Sequence, residues 1–120
     1  MILVAGPYRS GTNDDPELIN ANVRHMTTVS LDLFRKGHLP VMGEWFALPL
    51  IAEAGSKQIG DTIFNDIFHP IAIQLVKRCD AVLRTGGPST GADEMVRVGN
   101  ANGKIIYLNK DDIPAVTISG

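Results

Sequence analysis

A single cysteine, Cys79, stands in 120 residues, so no disulfide can form within the chain. His25, His38 and His69 lie far apart, and no cluster of cysteine, histidine and carboxylate has metal-ligand spacing, so no metal site is expected. No apolar run reaches the 18 residues of a membrane-spanning helix. The run Met1-Ile2-Leu3-Val4-Ala5 is also too short for the core of a signal peptide, which leaves the cytoplasm as the expected compartment. Lysine and arginine total 11 against 13 acidic residues, and the basic residues are scattered. A net charge of −2 without basic runs gives no footprint for a nucleic-acid polymer or an anionic membrane, and turns the search toward a small-molecule ligand. Internal repeats and low-complexity stretches are absent. With 44% apolar residues, the length suits one domain over residues 1–120 with a single core.

The apolar start reads as a central strand covered on both faces, ending at Gly6-Pro7. A polar loop, Tyr8-Arg9-Ser10-Gly11-Thr12-Asn13, follows. Asp14 or Asp15 ahead of Pro16 then supplies a helix cap with proline at the first helical position. Ile19, Val23, Met26 and Leu33 form the buried stripe of that helix, and Gly37 stops it. His38-Leu39-Pro40-Val41-Met42 is a short second strand whose proline predicts an edge position. Residues 43–60 are harder to read. Around Trp45, Phe46, Leu48, Leu50 and Ile51 a short helix or turn carries a concentrated apolar surface, and Trp45 is either a stacking platform for a base or sugar or part of a core or subunit interface. Glu44 ahead of it reads as a solvated loop carboxylate, and residues 55–61 as a mobile connection. A second long helix is expected over residues 66–78, a third strand over 81–84, a fourth over 104–108 and a short fifth strand or docked tail over 115–118.

Between the third strand and the next helix lies Arg84-Thr85-Gly86-Gly87-Pro88-Ser89-Thr90-Gly91-Ala92-Asp93-Glu94. Such a turn leaves helix N–H groups aimed beyond the strand's end, where an anion, sugar or phosphate can bind. The same residues also admit a purely structural reading, with Thr90 and Asp93 as a capping box and Asp93 and Glu94 complementing the helix dipole.

Strands alternating with helices predict a flavodoxin-like α/β three-layer sandwich, its parallel sheet of four or five strands in the order 2-1-3-4-5, with right-handed crossovers. Ligands in that topology bind beyond the carboxyl ends of strands 1 and 3. Tyr8, Arg9 and Ser10 from the first loop and Ser89, Thr90 and Glu94 from the last converge there. The start of the helix before strand 3, with Asp66 and His69, reaches the same edge, while Asp80 lies at the opposite end. Arg9 at the switch point suits a phosphate, which a guanidinium grips bidentately. A Walker lysine and a dinucleotide fingerprint are both missing, which removes support for triphosphates and dinucleotides. A carboxylate beside hydroxyls and backbone donors suits glycosidic chemistry instead, where it stabilises or attacks an oxocarbenium-like centre.

Gly6-Pro7-Tyr8-Arg9, Gly37-His38-x-Pro40, Cys79-Asp80-Ala81-Val82-Leu83, Gly87-x-Ser89-x-Gly91-Ala92-x-Glu94 and Gly103-Lys104, taken in order, resemble the nucleoside 2-deoxyribosyltransferase superfamily over most of the chain. The resemblance implies a homodimer or larger homo-oligomer that cleaves the N-glycosidic bond of 2′-deoxynucleosides or their 5′-monophosphates without a cofactor. It places the nucleophile on Glu94, a tyrosine that positions it on Tyr8, and the sugar or phosphate loop on Ser89, Thr90 and Gly91. Gly6, Arg9, Ser10, Trp45 and Gly87, read from their own positions, are further candidate ligand contacts. The family's aspartate in the helix before strand 3 falls near Ala72, which leaves Asp66 or Asp61 to replace it from elsewhere, or the chemistry impaired. Two rivals stand beside an enzyme: a nucleotide-binding or sensing module that keeps the pocket without the reaction, and a flavin carrier suggested by Ser10-Gly11-Thr12-Asn13. With only seven aromatic residues to flank an isoalloxazine ring, the second is disfavoured.

Overall fold

In the computed structural model, which describes residues 1–116, a four-stranded parallel sheet is flanked by helices. The elements in chain order are β1 (Ile2–Ala5), α1 (Pro16–Arg35), β2 (Pro40–Val41), α2 (Gly43–Glu53), α3 (Thr62–Arg78), β3 (Ala81–Arg84), α4 (Thr90–Ala101) and β4 (Ile105–Tyr107), followed by a 3-10 turn, Lys110–Asp112. The strand order is β2-β1-β3-β4, as expected for a flavodoxin-like three-layer fold, with the proline-bearing β2 at an edge. Of the expected fifth strand, Ala115 and Val116 are not in a strand, and residues 117 and 118 lie outside the described residues.

Side chains alternate across β1, and the alternation divides the core. Ile2 and Val4 pack with Met26, Val29 and Leu33 of α1, together with Met42, Leu83 and Ile113. On the other face Leu3 and Ala5 meet Ala72 and Val76 of α3 and Ala92 and Met95 of α4. A smaller cluster joins Ala47 and Ile51 of α2 to Phe64 of α3, with Tyr8 and Phe68 packed against it. Because β1 and β3 are buried along nearly their whole length, polar ligand contacts are expected from the loops and helices that meet at the sheet's carboxyl edge.

The helix starts carry the local logic. Asp15 caps α1, its Oδ1 accepting the Glu17 N–H at 2.9 Å, with Pro16 at the first helical position. Helix α3 begins four residues earlier than the sequence reading placed it, because Asp61 is its cap and accepts the Phe64 N–H at 2.8 Å. The same carboxylate also takes the Ser56 hydroxyl at 2.9 Å and the Lys57 N–H at 3.1 Å, so the connection expected to be mobile is tied to the helix start. Those donors, the Phe64 N–H foremost, hold the Asp61 carboxyl below its usual pKa.

The expected capping box on α4 is corrected by one residue. Ser89, not Thr90, is the cap, its hydroxyl accepting the Ala92 N–H at 3.1 Å. Asp93 turns away to Arg84, whose Nε donates to it at 2.9 Å, while the Arg84 Nη1 and Nη2 donate to the carbonyls of Thr85 and Gly87 at 2.7 and 2.8 Å. Thr90 is already the first helical residue, so its hydroxyl cannot take the cap's place. Ser89→Ala is therefore expected to lower unfolding stability by about 1 kcal/mol, whereas Thr90→Ala leaves it nearly unchanged. Denaturant melts of the two variants measure the difference.

Candidate functional site

Two loops meet at the carboxyl edge of β1 and β3. The loops after β1 and β3 approach through their backbones: a Cβ on Gly6 would stand 2.8 Å from the Thr85 carbonyl oxygen, and one on Gly86, at φ +80°, would stand 2.7 Å from Pro7 Cδ. Only glycine fits at either position. Asn22 of α1 donates to the Tyr8 carbonyl at 3.0 Å and anchors the first loop from below.

Above this floor lies a cavity of about 190 Å³. Tyr8, Arg9 and Ser10 line it from the first loop, Ser89, Gly91, Ala92 and Met95 from α4, Gly43 and Glu44 from the start of α2, and Phe64, Asn65, Phe68, His69 and Ala72 from α3. Phe64 and Phe68 stack with ring centres 5.4 Å apart, and Tyr8 lies 6.3 and 6.2 Å from them, so one wall is aromatic. The starts of α2 and α4 both open on this space. Their unpaired N–H groups and positive dipole ends favour an anionic group.

The residues nominated from sequence divide into two sets. Gly6, Tyr8, Arg9, Ser10, Ser89 and Gly91 line the cavity. Glu94, Asp66, Trp45, Gly87 and Thr90 do not. Glu94 pairs with Arg97 one turn along α4, and the cavity-facing side of that helix is instead Gly91, Ala92 and Met95. Asp66 is displaced because α3 starts at Thr62, which leaves it exposed in the second turn and away from the cavity, whose mouth is bordered instead by the exposed Asn65 and His69. Trp45 points outward, 44% exposed. Arg9 sits at the rim, its Nε and Nη2 donating to both oxygens of Asp14 at 3.0 and 3.1 Å, and its guanidinium covers Gly60.

Glu44 is the residue that sequence reasoning misplaced. Expected in solvent, it is 6% exposed and faces the cavity from the first turn of α2. Among the described residues it has no ion pair and no hydrogen bond to another residue's side chain. Burial pushes its carboxyl up to about 7, against an opposing pull from its own backbone N–H. Tyr8 responds to the same surroundings: burial first, then the nearby Glu44 charge, raise its phenol above the ordinary value, while Arg9 pulls the other way. The signal for Glu44 was available in outline, since it follows Gly43 at the end of a strand whose carboxyl edge carries the other loops. What hid it was the helical start of α2, where a turn was the competing reading.

No family model matches the chain, nor does any curated protein or solved structure.

The shift of Glu44 has a definite sign for stability. A carboxyl whose folded pKa rises from 4.5 to about 7 binds its proton more tightly when folded, so its contribution falls as pH rises across that window and stays low above it. The span corresponds to roughly 3 kcal/mol. Glu44→Gln, which keeps the shape and removes the charge, should raise the melting temperature at pH 8 and leave it unchanged at pH 4.5. Calorimetric scans of both proteins across pH check this.

Proposed function

We propose that the chain binds a nucleoside or its 5′-monophosphate in this cavity and acts at the N-glycosidic bond, with Glu44 supplying the carboxylate. The observation that carries this reading is a buried carboxyl, without a cation beside it, facing an open cavity between an aromatic wall and a helix N-terminus. The aromatic wall suits a base, and the start of α4 with Ser89 and Gly91 suits a phosphate or sugar oxygen. Arg9 at the rim can exchange Asp14 for a phosphate, since the two bind a guanidinium in the same bidentate way.

The position of Glu44 also bears on the missing aspartate. A Cβ on Gly43 would lie 3.7 Å from the Ala72 Cβ, so the start of α2 adjoins the place where the resemblance expects a carboxylate from α3. Glu44 brings one to that region from a different helix. An ionised carboxylate there stabilises positive charge developing at C1′, and a desolvated one does so more strongly than a solvated one.

A binding-only module is the second reading, favoured by the ion pair that turns Glu94 toward Arg97. Base release, followed by chromatography over a panel of nucleosides and 5′-monophosphates, separates the two. For the enzyme, Glu44→Gln lowers turnover about a hundredfold or more, roughly 3 kcal/mol of barrier, and Glu94→Gln leaves it near wild type. Binding without release from any member of the panel would establish the module instead.

Self-association belongs to the same proposal. Trp45, Phe46 and Leu50 are 44%, 47% and 54% exposed on α2, the helix that carries Glu44. A helix apolar on most of its circumference is ordinarily covered, and a second copy of the chain is the simplest cover. Light scattering at micromolar concentration should therefore give a mass above 12.9 kDa, and Trp45→Glu should return it to the monomer value.

A further inference from the structure

Glu44 is the only carboxyl lining the cavity among the described residues, and residues 117–120 contain no acidic side chain. Cleaving a bond between a sugar and a neutral base asks for two groups. One stabilises or attacks the sugar carbon, and an acid delivers a proton to the departing nitrogen. The second is hard to find here. Tyr8 holds its proton more tightly than an ordinary phenol, Arg9 is a permanent cation, and His69 lies exposed at the mouth against the edge of Phe68. The position on α3 where the resemblance expects the other carboxylate is Ala72.

From this imbalance we propose that, if the cavity acts at an N-glycosidic bond as argued above, its substrates are nucleosides or nucleotides whose base is already cationic, such as a pyridinium, with Glu44 meeting the positive charge. Such a base needs no acid. As the Glu44 carboxylate bonds to C1′, the C1′–N bond breaks and its electron pair moves onto the ring nitrogen, which discharges it. The base leaves neutral. Water then cleaves the sugar ester, the carboxylate is regenerated and one proton passes to solvent. One water is consumed for each sugar, neutral base and proton formed.

The rest of the cavity fits the same ligand. A buried carboxyl with no cation of its own is costly to ionise until a ligand brings one, so a cationic base supplies the missing partner. Phe64, Phe68 and Tyr8 offer aromatic faces on which a cationic ring is held by the ring quadrupoles as well as by contact area. The phosphate of a 5′-monophosphate meets the start of α4, where Gly91 has nothing within 4 Å of the place a Cβ would occupy and so leaves the approach open. Opposite charges on the ligand thus face opposite partners in the site.

The experiment compares a pyridinium 5′-monophosphate, nicotinamide mononucleotide, with neutral-base adenosine and deoxycytidine 5′-monophosphates. Base release is read by chromatography and binding by calorimetry, for wild type, Glu44→Gln and His69→Ala. Release from the pyridinium nucleotide about a hundredfold or more faster than from the neutral ones, lost in Glu44→Gln at an undiminished melting temperature and kept in His69→Ala, is the expected result. Equal or faster release from a neutral-base nucleotide, lost in His69→Ala, overturns the cationic-base inference and leaves the glycosidic reading standing with His69 as the acid. The same release kept in His69→Ala also overturns it, with the acid coming from elsewhere. Binding without release from all three compounds overturns the inference and the enzymatic reading together.

Discussion

Two backbones meet where no side chain fits, and the site depends on that contact. Gly6 lies against the Thr85 carbonyl and Gly86 against the Pro7 ring, so the loops after β1 and β3 close on each other directly beyond the strand ends. Parallel pairing of Ala5 with Arg84 sets this height, because both loops leave the sheet at the same register. Arg84 then fixes the second loop from its own strand, spending its donors on the carbonyls of Thr85 and Gly87 and on Asp93. These bonds are made by a largely buried side chain, 13% exposed, to partners within ten residues, so they hold the glycine-rich turn in one shape at little further entropic cost. The cavity floor is rigid for that reason, and its variable parts are the side chains brought by α2 and α3.

Against that floor, Glu44 is an electrostatic mismatch. The fold supplies the residue's own backbone N–H, which opposes the desolvation without overcoming it, but no cation. Other carboxylates in the chain show the ordinary solution. Asp14, Asp32 and Asp80 lie at the surface with a cationic partner, and their pKa values fall. Among the carboxyl side chains of the described residues, only Glu44 moves upward on burial. Local conflicts of this kind concentrate at functional sites, since a structure selected for stability alone would have placed glutamine or an apolar residue there.

Much of the architecture was legible in the sequence because it rests on local signals. Pro16 after Asp15, Gly37 after the stripe of α1 and the apolar runs at Ile2 and Ala81 each determine one element by a mechanism that acts over a few residues. The proline of β2 correctly indicated an edge strand. Errors arose where two neighbouring residues can play one role. Ser89 and Thr90 are both competent caps, and Asp61 and Asp66 both precede plausible helical turns, so tertiary geometry made the choice. The site was legible to the same extent: its loops were identified, while the carboxylate that faces the cavity was not.

Helix phase accounts for that last difference. Successive residues on a helix point about 100° apart, so a one-residue change in where α4 begins exchanges the side that meets the ligand. With Ser89 as the cap, Gly91, Ala92 and Met95 turn toward the sheet and cavity, and Glu94 turns to Arg97 at the surface. The same rule acts in the opposite sense at α2. There Met42 precedes the helix, Gly43 begins it, and the next position faces inward, so a glutamate beside a tryptophan is buried while the tryptophan is exposed. Hydrophobicity alone would assign these two neighbours the other way round. The chain therefore tolerates both an exposed indole and a buried carboxyl on consecutive residues of one helix, an arrangement whose cost is offset only when something else meets each of them: an apolar surface for Trp45 and a charge or hydrogen-bond donor for Glu44.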